Sequence, residues 1–228
     1  MSDHRISVVI PVHNGERYLA QALESVFAQT YPAAECWVID DGSTDGTVEI
    51  AERFSAVRVV SQGNAGAAHA RNQGISRVTG DLIAFLDADD LWLPDKLALQ
   101  VKALDDHSGT GIVFGMVEQF HSPELSAALK AQIYCTPVPV PGYLPSACMV
   151  RADVFQRVGL LNVSVRQGEF IDWCARARDA GVHERMLPHT VTRRRLHNLN
   201  QRAVKVDQQS HMVDMLKGVL DRRRAAGA

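Results

Sequence analysis

An α/β fold built on a mostly parallel sheet, flanked by helices and carrying a smaller second lobe, is what this sequence predicts, on three observations. Short β-branched apolar runs alternate with segments of helical apolar spacing through roughly the first 105 residues. The first run is nearly continuous, as a strand covered on both faces must be. The polar clusters fall directly after the runs, and ligands of parallel sheets bind beyond the carboxyl ends of the strands.

The elements follow in order. Ile6-Ser7-Val8-Val9-Ile10-Pro11-Val12 reads as the first strand. After the His13-Asn14-Gly15 turn, Leu19, Ala22, Leu23, Val26 and Phe27 recur at helical spacing. Cys36-Trp37-Val38-Ile39 is a second strand, 47–54 a short helix, 57–60 a third strand and 67–78 a third helix. Leu82-Ile83-Ala84-Phe85-Leu86 is a fourth strand, and the helix expected over 94–104 opens on Pro94, where a first turn has no need of the missing N–H. Beyond it the pattern loosens. Residues 112–120 read as a strand, 122–145 hold five prolines and read as a long irregular connection, and 149–158, 168–180 and 183–197 suggest short helices and strands. The tail over 204–228, with Val206, Met212, Val213, Met215, Leu216, Val219 and Leu220, is expected to form an amphipathic helix packed on its own domain, with a homodimer or membrane contact as the alternative.

Composition narrows the function classes. The 228 residues, 46% hydrophobic and 22% charged, suffice for a substantial core. A net charge of -2 gives no global basic field, so no nucleic-acid partner is expected and any anion must be held locally. Cys36, Cys135, Cys148 and Cys174 form no C-x-x-C pair, which argues against a zinc knuckle and for a reduced, cytoplasmic setting. No run approaches the roughly 18 apolar residues of a membrane-spanning helix, so no transmembrane segment is expected, and peripheral membrane contact stays open. The first strand is followed by no G-x-G-x-x-G, which disfavours a dinucleotide-dependent oxidoreductase.

Three polar clusters carry candidate chemistry. Asp87-Ala88-Asp89 puts two carboxylates on one short loop, a spacing at which both can face a hard divalent cation that bridges phosphates. Alone, such a loop reads as solvated acids or a helix cap; its place after an apolar strand favours the cation. Asp40-Asp41-Gly42-Ser43-Thr44-Asp45 ends the second strand and offers a carboxylate to a nucleobase N–H, or else a glycine turn and cap. Gly63-Asn64-Ala65-Gly66-Ala67-Ala68-His69-Ala70-Arg71-Asn72 is a glycine-containing loop entering a helix, whose amides and Arg71 could meet an anion.

Taken together these segments closely resemble glycosyltransferase family 2, inverting enzymes of the GT-A fold. The matches are Val8-Val9-Ile10-Pro11-Val12-His13-Asn14, Val38-Ile39-Asp40-Asp41-Gly42-Ser43-Thr44-Asp45, Ala70-Arg71-Asn72-Gln73-Gly74 and Phe85-Leu86-Asp87-Ala88-Asp89-Asp90. The resemblance implies that Pro11, Val12, Asn14, Asp40, Asp41, Arg71, Asp87, Ala88 and Asp89 bind a nucleotide sugar. It implies a divalent cation, Mn2+ or Mg2+, on Asp87 and Asp89, with His197 completing the metal or diphosphate site. Ser146-Ala147-Cys148-Met149-Val150-Arg151 is similar to the family's strand beneath the acceptor. The implied organisation is a single GT-A domain over 1–228: a nucleotide-sugar-binding half to about 105, an acceptor-side half over 106–200 and a helical tail over 201–228. A UDP-sugar is the donor expected from family frequency; the acceptor is unknown.

The chain departs from the family at the catalytic base. Members usually carry Glu-Asp at the start of a helix, the Asp taking the acceptor proton, and here Glu169 and Phe170 stand on those positions. Phenylalanine cannot accept a proton, so Glu169, or Asp172 three residues on along the same helix face, is the candidate base. The expected function is therefore inverting, metal-dependent transfer of a sugar from a nucleoside-diphosphate sugar to an acceptor hydroxyl. A non-catalytic sugar-nucleotide-binding protein and a nucleotidyltransferase are the alternatives.

Overall fold

The computed structural model describes residues 3–165 and 168–197; the tail helix expected over 204–228 lies outside them. β1 (Ile6–Val12), β2 (Glu35–Asp40), β3 (Val57–Ser61) and β4 (Leu82–Phe85) alternate with α1 (Leu19–Phe27), α2 (Thr47–Glu52) and α3 (Ala67–Ile75). β1 pairs in parallel with β2 and β4, and β2 with β3. Every residue of β1 is buried, because helices cover both faces of the sheet. One apolar layer holds Leu19, Leu23 and Val26 of α1 against Val8 and Ile10; the other holds Ala68 and Ala70 of α3 against Val9 and Phe85. Gly74 is what lets α3 lie so close. A β-carbon there would stand 2.3 Å from Cγ1 of Val9.

The second half continues the same sheet in mixed sense. β5 (Leu91–Trp92), α4 (Lys96–Asp106), β6 (Thr110–His121), α5 (Ala127–Gln132), β7 (Val140–Pro141), β8 (Cys148–Arg151), α6 (Ala152–Val158), α7 (Glu169–Asp179) and β9 (His183–Leu196) follow in order. The strands run β3-β2-β1-β4-β8-β6-β9-β5, with β7 paired to β6. β8 joins the halves by antiparallel ladders to β4 and β6, while β6 and β9 run in parallel over a bulged register.

Four elements differ from the sequence expectation. The connection over 122–145 contains α5, capped by Ser126 on the N–H of Leu129, and β7. Leu91-Trp92, next to the acidic loop, forms β5 at the sheet edge against Arg193 and Thr192 of β9, which arrives from a hundred residues away. α4 starts at Lys96, two residues after Pro94.

Lys96 is fully buried. Its ammonium donates to Gln100 Oε1 at 2.7 Å and to the Cys148 carbonyl at 3.1 Å, over the Trp92 ring at 4.2 Å. Burial pushes its pKa down to about 7. Among the described residues, no helix is long and apolar enough to cross a membrane.

Candidate functional site

A cleft of about 1150 Å³ opens at the carboxyl ends of β1, β2 and β4. Pro11 and Val12 line it from the end of β1 and Asn14 from the loop that follows, Asp41 from just after β2, Ala70 and Arg71 from α3, and Asp87, Ala88 and Asp89 from the loop after β4; His197 lines it from just after β9. Asn14 takes a left-handed φ of 52°, which asparagine tolerates. There its side-chain carbonyl accepts from the N–H of Thr44 at 2.8 Å while its own N–H donates to Ser43 Oγ at 2.8 Å. The loops after β1 and β2 are thus laced together.

The paired acids at the end of β2 divide their work. Asp40 Oδ1 accepts from the Ser43 N–H at 3.0 Å and so closes its own turn. Asp41, 4% exposed, accepts from the N–H groups of Ala65 and Gly66, each at 2.8 Å, and from Gln62 Nε2 at 2.7 Å. It holds the loop that enters α3, with Gly66 at a φ of 93° that favours glycine. A carboxylate offers about four acceptor positions, so one remains for a ligand N–H.

The two carboxylates of the D-x-D loop go different ways. Asp87 receives the Arg71 guanidinium at 2.5 Å and gives its own N–H to Ser146 Oγ at 3.0 Å. Asp89 Oδ2 stands 2.8 Å from Nε2 of His197, whose ring lies 4.9 Å from that of Tyr18. Asp90, buried behind them, accepts from the Arg195 N–H; burial first, then the charges of Asp89 and Asp87, push its pKa well up. Arg195 lies over the rings of Tyr18 and Phe120 and donates to the Asp89 carbonyl at 2.9 Å, so β9 fixes the loop from outside.

This donor set suits a small hard cation. Asp89 Oδ2 and His197 Nε2 stand together on the cleft and could both face a divalent cation. Such ions fill their other positions with phosphate oxygens and water. Among the described residues no group of three or more protein donors is assembled, and Asp87, expected beside Asp89, is turned to Arg71.

Arg71 is the hub of the site's other end. Its side chain is 6% exposed and it donates to Asp87 and, at 2.8 Å, to Glu169 Oε1 at the start of α7. Burial alone would lower the guanidinium's pKa; Asp87 and then Glu169 outweigh it and raise it. Asp172 is directed elsewhere. It is buried against Arg176 at 3.1 Å, and Arg176 in turn donates to the carbonyls of Val158 and Leu160. Phe170 is core: its ring lies 6.4 Å from Phe114 and 6.0 Å from Trp173, because consecutive residues of a helix diverge by about 100° and Phe170 so faces away from Glu169's direction.

Sequence reasoning missed Tyr18 and Glu124, and saw no role for Ser146 or Arg195 at the acidic loop. Glu124 lines the cleft and accepts from Tyr18, Ser122 and Arg17. Its partial burial works against ionisation, but the hydrogen bonds from Ser122 and Tyr18 hold its pKa at about 2. Nothing local marks it, since it sits in the proline-rich connection over 122–145.

Comparison with known proteins adds the following. The model of Glycosyl transferase family 2 matches residues 7–159. An uncharacterized glycosyltransferase of Rickettsia felis is 32% identical over 185 residues, covering 74% of this chain and 29% of that protein; the chain thus spans less than a third of this relative's length. Among solved structures, S. aureus TarS 1-349 in complex with UDP-GlcNAc aligns with a TM-score of 0.75 and 16% identity over 94% of this chain and 65% of that one. The mannosyltransferase PcManGT from Pyrobaculum calidifontis, in complex with GDP-Man and Mn2+, aligns with a TM-score of 0.75 and 22% identity over 97% of this chain and 65% of that one. The curled, mostly parallel sheet is therefore that of the GT-A glycosyltransferases.

Proposed function

The chain belongs to glycosyltransferase family 2, and from that premise we propose that it moves a sugar from a nucleoside-diphosphate sugar to an acceptor hydroxyl with inversion, using a divalent cation. The observation that carries this reading is the convergence of Asp41, Asp87, Asp89 and His197 on one cleft at the carboxyl ends of parallel strands. The ligands of TarS and PcManGT support it. We read the described residues as one domain, because a single sheet runs through both halves. The four cysteines are free thiols, which suits a reducing, cytoplasmic setting.

Each residue's part follows from its surroundings. Asp41 keeps one acceptor position for a base N–H, while Pro11 and Val12 provide the apolar wall beside it. Asp89 and His197 would hold the cation, which when bound supplies Lewis-acid neutralisation of the charge on the departing diphosphate. Asp87 is left for the sugar and ribose side. Glu169 takes the acceptor proton as the hydroxyl attacks the anomeric carbon from the face opposite the leaving group. Asp172 is a poor candidate for that role because Arg176 occupies it inside the helix packing.

The test is product analysis with a panel of nucleotide sugars, UDP-sugars first, and saccharide acceptors in Mn2+. Acceptor-dependent release of a nucleoside diphosphate is expected. Pyrophosphate release would mean nucleotidyl transfer, and tight donor binding without turnover would mean a binding protein.

A further inference from the structure

The proposed base and the D-x-D loop belong to different halves of the chain, 82 residues apart in sequence, yet one buried guanidinium touches both. The carboxylates of Asp87 and Glu169 are 34% and 16% exposed, while Arg71 beneath them is 6% exposed. Its Nε is buried with no hydrogen-bond partner among the described residues, so these two anions are what compensates burying the cation. The next residue repeats the connection. Asn72 exchanges two hydrogen bonds with the backbone of Leu161, at 2.8 and 3.0 Å, tying α3 to the chain that leads into α7. Gly74, three residues after Arg71, seats α3 against β1. α3, gripped on different sides by Leu161 and by β1, therefore sets the distance between the donor loop and the start of α7.

We propose that Arg71 is a positioning residue that holds Glu169 at a fixed place relative to Asp87, so that the acceptor's proton is taken only in register with the seated donor. The inference rests on Glu169 as proton acceptor and goes beyond it. The sequence alone offers Arg71 to a ligand anion; here both its terminal nitrogens are engaged by carboxylates of the chain itself. An arginine can serve two carboxylates at once because its terminal nitrogens are fixed in one plane, and a lysine ammonium cannot hold the same fork.

The test is a double-mutant cycle on Arg71→Lys and Glu169→Gln, with kcat and donor KM measured separately at saturating acceptor. Arg71→Lys alone is expected to lower kcat by about tenfold or more, and in the Glu169→Gln background by less than about twofold. Any change in donor KM, which reflects Asp87, should be equal in both backgrounds. An equal loss of kcat in the two backgrounds, with Glu169→Gln itself damaging, overturns the inference alone. If Glu169→Gln leaves turnover unchanged, the base assignment fails and the inference with it. Should Arg71→Lys not fold, Glu169→Asp draws the carboxylate back by one methylene and leaves the buried arginine in place. A loss in kcat of about tenfold at constant donor KM is then expected, and full turnover overturns the inference.

Discussion

On the β1, β2 and β4 side of the cleft, the candidate ligand-binding groups sit within a few residues of a strand's end and are held by backbone. Asp41 grips the amides of Ala65 and Gly66, Asn14 laces two loops, and the Asp87 N–H is tied to Ser146. On the other side, Glu124 and His197 line the cleft and Glu169 stands behind Arg71 at the start of α7; the three come from separate stretches of chain and are held by side chains: Tyr18, Asp89 and Arg71. The first side is fixed by the fold, so its substitutions should cost both affinity and stability. The second is fixed by charge pairs across the sequence, and its substitutions should cost turnover first.

The sharpest expected contrast is on the second side. Glu169→Gln should cut acceptor-dependent turnover by about 100-fold or more while donor affinity in calorimetry stays within a few-fold. Asp172→Asn should lower the melting temperature, because it strips Arg176 of its carboxylate, and leave kcat nearly intact. A reversed ranking would move the proton to Asp172.

Asp41→Ala breaks the first side. It removes a charged acceptor from two backbone amides, at about 1.5–3 kcal/mol for such a bond. Nucleotide affinity should therefore fall by about 10- to 100-fold with or without Mn2+, together with the melting temperature. Loss of affinity only in the presence of Mn2+ would assign Asp41 to the cation.

Asp89→Ala lies where the two sides meet. It should erase a Mn2+-dependent gain in nucleoside-diphosphate affinity of at least about tenfold and leave metal-free affinity unchanged. Equal Mn2+ dependence in variant and wild type would remove Asp89 from the cation site.

The difference between the sides also explains what could be read from the residues alone. Strands β1 to β4 and helices α1 to α3 were legible because each is local: a short continuous apolar run or a 3.6-residue apolar period, ended by its own turn chemistry. The acidic and glycine clusters were legible for the same reason. That Asp87 faces Arg71 and Asp89 faces His197 was not, since two residues on one loop look alike until partners from α3 and β9 arrive. Phe170 was read as a gap in the active site; the helix turn that buries it between Phe114 and Trp173 is a tertiary fact. β5 and β7, each two residues long, exist only through their ladders to β9 and β6.

The smallest effect on turnover is expected at Lys96, in the packing that joins the halves. Its folded pKa near 7 lies below the ordinary 10.5, so between those values the unfolded chain holds a proton the folded one lacks. Stability should rise with pH across that window, by about 1.4 kcal/mol per pH unit from this group, and the contribution levels off below pH of about 7. Lys96→Met should flatten that rise in denaturant titrations at several pH values and leave kcat within about twofold. An unchanged slope would mean the amine is charged when folded.

Whether this cleft grips a nucleoside-diphosphate sugar through a cation is read out by thermal unfolding of the wild-type protein with a panel of nucleotide sugars, with and without Mn2+. A ligand that binds only the folded state at 100 times its Kd stabilises it by about 2.7 kcal/mol. A clear rise in melting temperature is expected with one nucleotide class, larger with Mn2+ than without. No shift with any uridine, thymidine or guanosine diphosphate sugar, in the presence of the metal, would contradict it.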